Sequence, residues 1–227
     1  MMMWRKAMAE LIGTAALIFI GAGSIIMNQY TNGGVGLVGI ALAHGLTIGI
    51  MVSCLGHISG GHLNPAVTAG FLATGRMSVR EGASYIGAQL AGGILGAMLL
   101  KACFPATAVA AASLGTPLLA AGISVNNGIM IEAILTFLLV FTVFATAVDP
   151  QGAFKSIAGY GIGTIVTMDI LAGGPLTGAS MNPARTFGPA VVGNVWTHHA
   201  VYWIGPMLGG VLAALVYNNL FLHGRRK

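Results

Sequence analysis

Apolar residues come in long blocks along this chain, and the polar breaks between them are short. Blocks of about 20 residues are long enough to cross about 30 Å of hydrocarbon as a helix. They predict six spanning helices, over about 7–28, 36–56, 82–103, 126–147, 156–173 and 199–222. No run of short alternating strands is present, which excludes a membrane β-barrel. Two segments break the pattern in the same way. Between the second and third blocks, His57 to Thr74 reads as a Gly-rich loop, then Asn64-Pro65-Ala66, then a short apolar stretch. Between the fifth and sixth, Gly173 to Val192 repeats that order around Asn182-Pro183-Ala184.

The chain is therefore an internal repeat. SGGHLNPAVTAG (59–70) aligns with TGASMNPARTFG (177–188), with Asn182 placed 118 residues after Asn64. YIGAQLAGGILGAML (85–99) aligns with WIGPMLGGVLAALV (203–216) at the same offset. More loosely, AELIGTAALIF (9–19) matches IEAILTFLLVF (131–141), which sets Glu10 opposite Glu132. Each half holds three spans and one short segment. Three is odd, so the second half enters the bilayer from the other side, and its short segment faces the first near the midplane. The expected fold class is an all-α membrane protein: six transmembrane helices plus two re-entrant half-helices in an inverted repeat. It forms a single channel domain over residues 1–227, with repeats of about 7–103 and 126–222.

Composition supports this class. Hydrophobic residues make up 56% of the chain and charged residues 7%, with a mean hydropathy of +0.86. A soluble domain carries about 25% charged residues, so this chain cannot cover a water-facing surface. Many of the 35 glycines lie inside the apolar blocks, where small residues let helix backbones approach closely in lipid. The net charge of +5 does not point to nucleic acid, because the basic residues sit at block ends. Arg5, Lys6, Arg76, Arg80, Lys155, Arg225, Arg226 and Lys227 all fall on one side of the six-span arrangement. The other side has Lys101, apart from Arg185 in the second short segment, and its loop 104–125 is uncharged. The positive-inside rule then makes both termini cytoplasmic in a multi-pass protein. The first block is too long for a signal peptide and contains Glu10. Short termini without targeting signals point to a cell membrane.

Each Asn-Pro-Ala triplet reads as a helix start. Asparagine is a favoured N-cap, and proline at the first helical position wastes no hydrogen bond. The apolar stretch after each triplet is about ten residues, or about 15 Å, half the hydrocarbon core. Two such half-helices from opposite faces meet tip to tip. Each tip carries unpaired N–H groups and about +0.5 of an elementary charge, and the Asn64 and Asn182 amides add donors. A neutral molecule with lone pairs is held at that point, whereas a cation meets a positive field.

GHISGGHLNPAVT and TGASMNPARTFGPA, with their partner blocks, make the chain resemble the aquaporin (major intrinsic protein) family over essentially its whole length. ILAGGPLTGASMNPARTFGPAVV with YWIGPMLGG resembles its tonoplast-type and archaeal members most. The resemblance implies a passive channel for water, extending to small neutral solutes such as ammonia or hydrogen peroxide, and homotetramers with one pore per subunit. It also implies a selectivity filter at His44, Ile170, Ala179 and Arg185, and a pore-lining histidine at His62 on the cytoplasmic side. His44 stands where water-only channels carry a bulky aromatic, and Ile170 and Ala179 imply a wider constriction. Glycerol facilitators carry aspartate after the filter arginine, where this chain has Thr186. Glycerol is thus the alternative solute.

Arg185 also stands out physically, because charge inside a membrane is costly and usually functional. It either meets solute or clamps the structure. Glu10 and Glu132 read as carboxylates accepting hydrogen bonds from the re-entrant loops, with proton relay as the sharper alternative. Asp169, beside Ile170, pairs with Arg185, pairs with His44, or points to a neighbouring subunit. Secondary transporters also use inverted repeats, but the two half-helix tips carry no carboxylate for ion coupling. No nucleophile–base set or metal-ligand set is visible, so neither enzyme activity nor a cofactor is expected.

Overall fold

The structure, a computed structural model, describes residues 1–152 and 157–222, which are helical with no strand among them. The helices are α1 (Met3–Tyr30), α2 (Gly36–Ser59), α3 (Pro65–Ala73), α4 (Val79–Cys103), the short α5 (Ala106–Ala111), α6 (Val125–Val148), α7 (Ala158–Thr177), α8 (Pro183–Gly193) and α9 (Val201–Leu222). Helices α1, α2, α4, α6 and α9 are long and apolar enough to cross a membrane. α7 has 20 residues but is interrupted by Thr, Gly and Asp169. It also runs to Thr177, beyond the expected end at 173, because Pro175 is tolerated inside it and the chain turns only at Gly178, where φ is 84°. The expected start of this span at 156 lies outside the described residues. So do Lys155, Arg225, Arg226 and Lys227 of the charge pattern.

Local chemistry sets the boundaries. Ser78 caps α4 by accepting from the Glu81 N–H, and Ser124 caps α6 by accepting from the Asn127 N–H. α2 ends at Gly60 in the left-handed region, φ 90°, as α7 does at Gly178. Those two glycines are 118 residues apart.

Helix packing obeys the inverted repeat. α1 packs on α4 as α6 packs on α9, α1 on α2 as α6 on α7, and α4 on α8 as α9 on α3. The α2–α7 contact is its own counterpart, and Gly45 and Gly163, again 118 apart, sit in it. A Cβ on Gly45 would collide with the Gly163 carbonyl, and one on Gly163 with the Gly45 carbonyl. Only glycine at both positions allows this approach.

The fourth helices correspond one residue away from the sequence alignment. Tyr85 of α4 and Tyr202 of α9, not Trp203, donate equivalent hydrogen bonds to the Ser59 and Thr177 carbonyls, at 2.6 and 2.8 Å. The offset there is 117, and apolar Gly-rich segments aligned by sequence conceal the slip.

Lys6 bonds Glu81 at 2.6 Å, joining the starts of α1 and α4 on one face, termed here the N-terminal face. Arg76 bonds Asn218 at 2.9 Å on the same side. Lys101, in the last turn of α4, marks the opposite face. Exposed apolar side chains such as Leu46, Ile50, Leu208 and Leu212 cover the outside of the bundle, as a membrane-embedded surface requires.

Candidate functional site

The two half-helices α3 and α8 have 9 and 11 residues, each with proline first, so they reach about 14 and 16 Å. Asn64 Oδ1 caps α3 by accepting from the Ala66 N–H at 2.8 Å. Asn182 Oδ1 accepts from the Ala184 N–H at 3.0 Å and the Arg185 N–H at 3.3 Å. The amide nitrogens then cross between the halves: Asn64 Nδ2 donates to the Met181 carbonyl at 2.8 Å, and Asn182 Nδ2 to the Leu63 carbonyl at 2.9 Å. Leu63 and Met181 are held at φ 51° and 52°, an unfavourable region for such side chains costing about 1–2 kcal/mol. That conformation places each carbonyl under the opposite asparagine. Each amide therefore has one N–H committed to the fold and one left over.

Two buried carboxylates hold the loops in this shape. Glu10 Oε1 accepts from Ser59 Oγ at 2.6 Å and the His62 N–H at 3.0 Å, and its Oε2 from the Leu63 N–H at 2.6 Å and Gln89 Nε2 at 2.8 Å. Glu132 accepts from Thr177 Oγ1 at 2.7 Å and from the Ser180 and Met181 N–H groups at 2.9 and 2.7 Å. Both are fully buried. Every acceptor contact goes to a loop or its support, an arrangement for bracing and not for passing protons along a chain.

A cavity runs along this meeting point, lined by Gly60, Gly61, His62, Asn64, Asn182 and Arg185 together with aliphatic side chains such as Ile48, Val52 and Leu139. It is narrow, leaving about 50 Å³ for the centres of water molecules. A second cavity of about 210 Å³ opens above it, lined by Thr116, Pro117, Leu118 and Gly178. His44, Ile170 and Arg185 line both cavities, so they form the neck between them. Ala179 lines the inner cavity beside that neck.

The neck arginine is clamped and buried. Arg185 Nη1 donates to the Gly115 carbonyl at 2.7 Å, and Nη2 lies 3.3 Å from His44 Nε2. His44 Nδ1 faces the Ile40 carbonyl at 2.9 Å. Gly115 was not visible as a site residue: it belongs to the uncharged loop after α4, and a backbone carbonyl has no sequence signature. His62 lines the inner cavity, its Nδ1 3.1 Å from Thr68 Oγ1. The equivalent of that contact is Ser180 Oγ to Thr186 Oγ1 at 2.6 Å.

Asp169 makes neither of the two pairings expected of it. It is 2% exposed, bonds neither Arg185 nor His44 among the described residues, and lines neither cavity. His57 is exposed in the last turn of α2.

Chemically, the passage offers the polar groups of its loop residues, the spare N–H donors of two asparagines, and one guanidinium at the neck. A molecule that accepts and donates hydrogen bonds can exchange its hydration for these groups. A cation meets two positive helix ends and Arg185 in succession.

Residues 1–217 match the family described as Major intrinsic protein. The chain is 47% identical over 225 residues to aquaporin TIP4-4 of Zea mays, covering 96% of this chain and 87% of that one. It is 44% identical over 225 residues to aquaporin TIP1-1 of Arabidopsis thaliana, covering 96% and 88%. Among solved structures, the aquaglyceroporin from Plasmodium falciparum is similar with a TM-score of 0.87 and 23% identity, over 96% of this chain and 97% of that one. This last likeness shows the fold.

Proposed function

The chain belongs to the major intrinsic protein family, the aquaporins, and from that membership we propose how its passage selects what crosses. The protein is a membrane channel, not an enzyme, and it carries water and small solutes passively. Water passes in single file along the polar groups of the loops and the spare amide hydrogens of Asn64 and Asn182, which stand with Pro65, Ala66, Pro183 and Ala184 at the waist. Selection happens at the neck of His44, Ile170, Ala179 and Arg185, with His62 lining the passage toward the N-terminal face.

One observation carries this reading: Arg185, His44 and Ile170 sit where the two cavities join, so a solute must pass them. Ile170 and Ala179 present only aliphatic carbon, and His44 already accepts from Arg185. Solute contacts at the neck come from the remaining guanidinium hydrogens, which suit a small lone-pair donor. Ammonia and hydrogen peroxide therefore cross with water, while glycerol, with three hydroxyls to satisfy, crosses poorly.

We further read residues 1–227 as one channel domain that works as a homotetramer in a cell membrane, with both termini cytoplasmic. Arg5, Lys6, Arg76 and Arg80 gathered toward the N-terminal face support that orientation. Exposed apolar side chains on α2 and α7 support burial against lipid or a neighbouring subunit.

Reconstituted vesicles mixed with ammonia, hydrogen peroxide and glycerol gradients in parallel test the selectivity. Ammonia and peroxide uptake well above empty vesicles, with glycerol near the empty-vesicle rate, is the expected result. Glycerol uptake comparable to water would overturn it.

A further inference from the structure

On the face opposite the N-terminus, a groove of about 500 Å³ lies between the end of α4, the short α5 and the end of α8. Its walls are mostly apolar, with Ala106, Val109, Ala110, Leu114, Val192 and Val195, and Ser113 adds a hydroxyl. Lys101 stands at its rim, in the last turn of α4. That lysine is exposed, and it forms no ion pair among the described residues.

No acidic group of this chain can serve it. The chain has five Asp and Glu residues. Glu10, Glu132 and Asp169 are buried inside the bundle, Glu81 is bonded to Lys6 on the N-terminal face, and Asp149 is buried and accepts from Tyr217. The same count holds for a second copy, which would bring no exposed carboxylate to this face. Covering Lys101 with such a surface would strip its hydration and return nothing.

We propose that this groove seats a phospholipid of net negative headgroup charge from the adjoining leaflet, with an acyl chain along the apolar wall and the phosphate, uncompensated by a headgroup cation, on the Lys101 ammonium. A lysine at the end of a spanning helix lies at headgroup depth, its methylene stem packing on apolar surface while the charge reaches the interface. Basic pockets between spanning helices bind anionic headgroups for the same reason. Here the pocket has one cation, which fits a single phosphate.

Native mass spectrometry of the intact protein, extracted from membranes containing phosphatidylglycerol and phosphatidylcholine, tests this. One phosphatidylglycerol per subunit is retained in preference to phosphatidylcholine, and Lys101→Gln lowers that retention about fivefold. Ala110→Phe, which fills the groove and keeps the lysine, lowers it too. Arg80→Gln on the N-terminal face leaves it unchanged, and water flux through Lys101→Gln vesicles stays at the original rate, showing an intact fold. Retention that ignores headgroup charge, or that is equal in Lys101→Gln, overturns the proposal. So does a change of oligomeric mass in Ala110→Phe with lipid retention unaltered, which would mean that protein covers the groove.

Discussion

Arg185 Nη2 approaches His44 Nε2 at 3.3 Å while His44 Nδ1 faces the Ile40 carbonyl at 2.9 Å. A guanidinium only donates and a carbonyl only accepts, so the ring is the neutral tautomer with its proton on Nδ1. Its one lone pair is spent on Arg185. The histidine thus shapes the neck and steadies the arginine, and it does not offer solute an acceptor.

Replacing His44 by alanine opens the neck and frees Arg185 Nη2. Glycerol permeability of reconstituted vesicles then rises relative to water by about tenfold, a change of about 1.4 kcal/mol at the barrier. An unchanged glycerol-to-water ratio would mean that the neck lies elsewhere.

The crossed asparagines fix a stability prediction. Asn64→Leu leaves the Met181 carbonyl without its donor, and Asn182→Leu does the same to Leu63. A buried polar group left unmade costs about 1–3 kcal/mol, and each variant should lose that much in detergent unfolding. The crossed bonds are symmetric, but Asn182 also caps two N–H groups where Asn64 caps one, so both variants lose stability and Asn182→Leu loses somewhat more. A loss in one and none in the other would contradict the symmetric account.

Glu10 and Glu132 are distinguished by donor count. Glu10 holds four donors, including Gln89, whereas Glu132 holds three. An amide in place of either carboxylate turns an NH₂ toward backbone N–H groups. Glu10→Gln and Glu132→Gln each destabilise by about 1–3 kcal/mol, and water flux falls as the loops loosen. Wild-type stability with a selective loss of proton movement would revive the relay reading.

Much of this was legible beforehand. Asn before Pro, followed by an apolar stretch too short to span, was enough to locate α3 and α8, since capping and length are local properties. The buried pair Glu10 and Glu132 was legible from the repeat. Three things were not. Tyr202 takes the role of Tyr85, but Gly-rich apolar helices align almost equally well at offsets of 117 and 118, and only the hydroxyl contacts decide. Gly115 clamps Arg185 through a carbonyl, which every residue possesses. Asp169 looked like a partner for a nearby charge because sequence distance to Ile170 is short. On a helix, adjacent residues point about 100° apart, and its neighbour took the pore.

The outer turn gives a pH prediction. Trp203 Nε1 donates to His199 Nε2 at 3.0 Å, and Trp196 packs on the same ring at 4.9 Å between centroids. Burial lowers the His199 pKa below the usual 6.5. The unfolded chain therefore binds the proton more readily, so stability is present above about pH 6.5 and is lost as pH falls toward the lowered value. Thermal unfolding between pH 7.5 and 5 should show this decline, and His199→Gln should make it shallower by the share of this one histidine. An equal slope in both proteins would place the titration elsewhere.

The α2–α7 crossing has no room for a Cβ at either of its two glycines. Gly45→Val or Gly163→Val forces the helices apart at a contact where even a Cβ collides with the facing carbonyl. Overpacking costs about 1–3 kcal/mol, and each variant should unfold earlier and conduct less, because the His44 and Ile170 walls of the neck ride on these two helices.

The central claim is that a neutral solute passes the paired half-helix tips while charge does not. Stopped-flow light scattering of proteoliposomes, with a pH dye enclosed in the same vesicles, measures both at once. Osmotic shrinkage many times faster than in empty vesicles, with proton leakage no faster than in empty vesicles, is the predicted result. Water flux at the empty-vesicle rate, or proton movement that rises together with water flux, would contradict it.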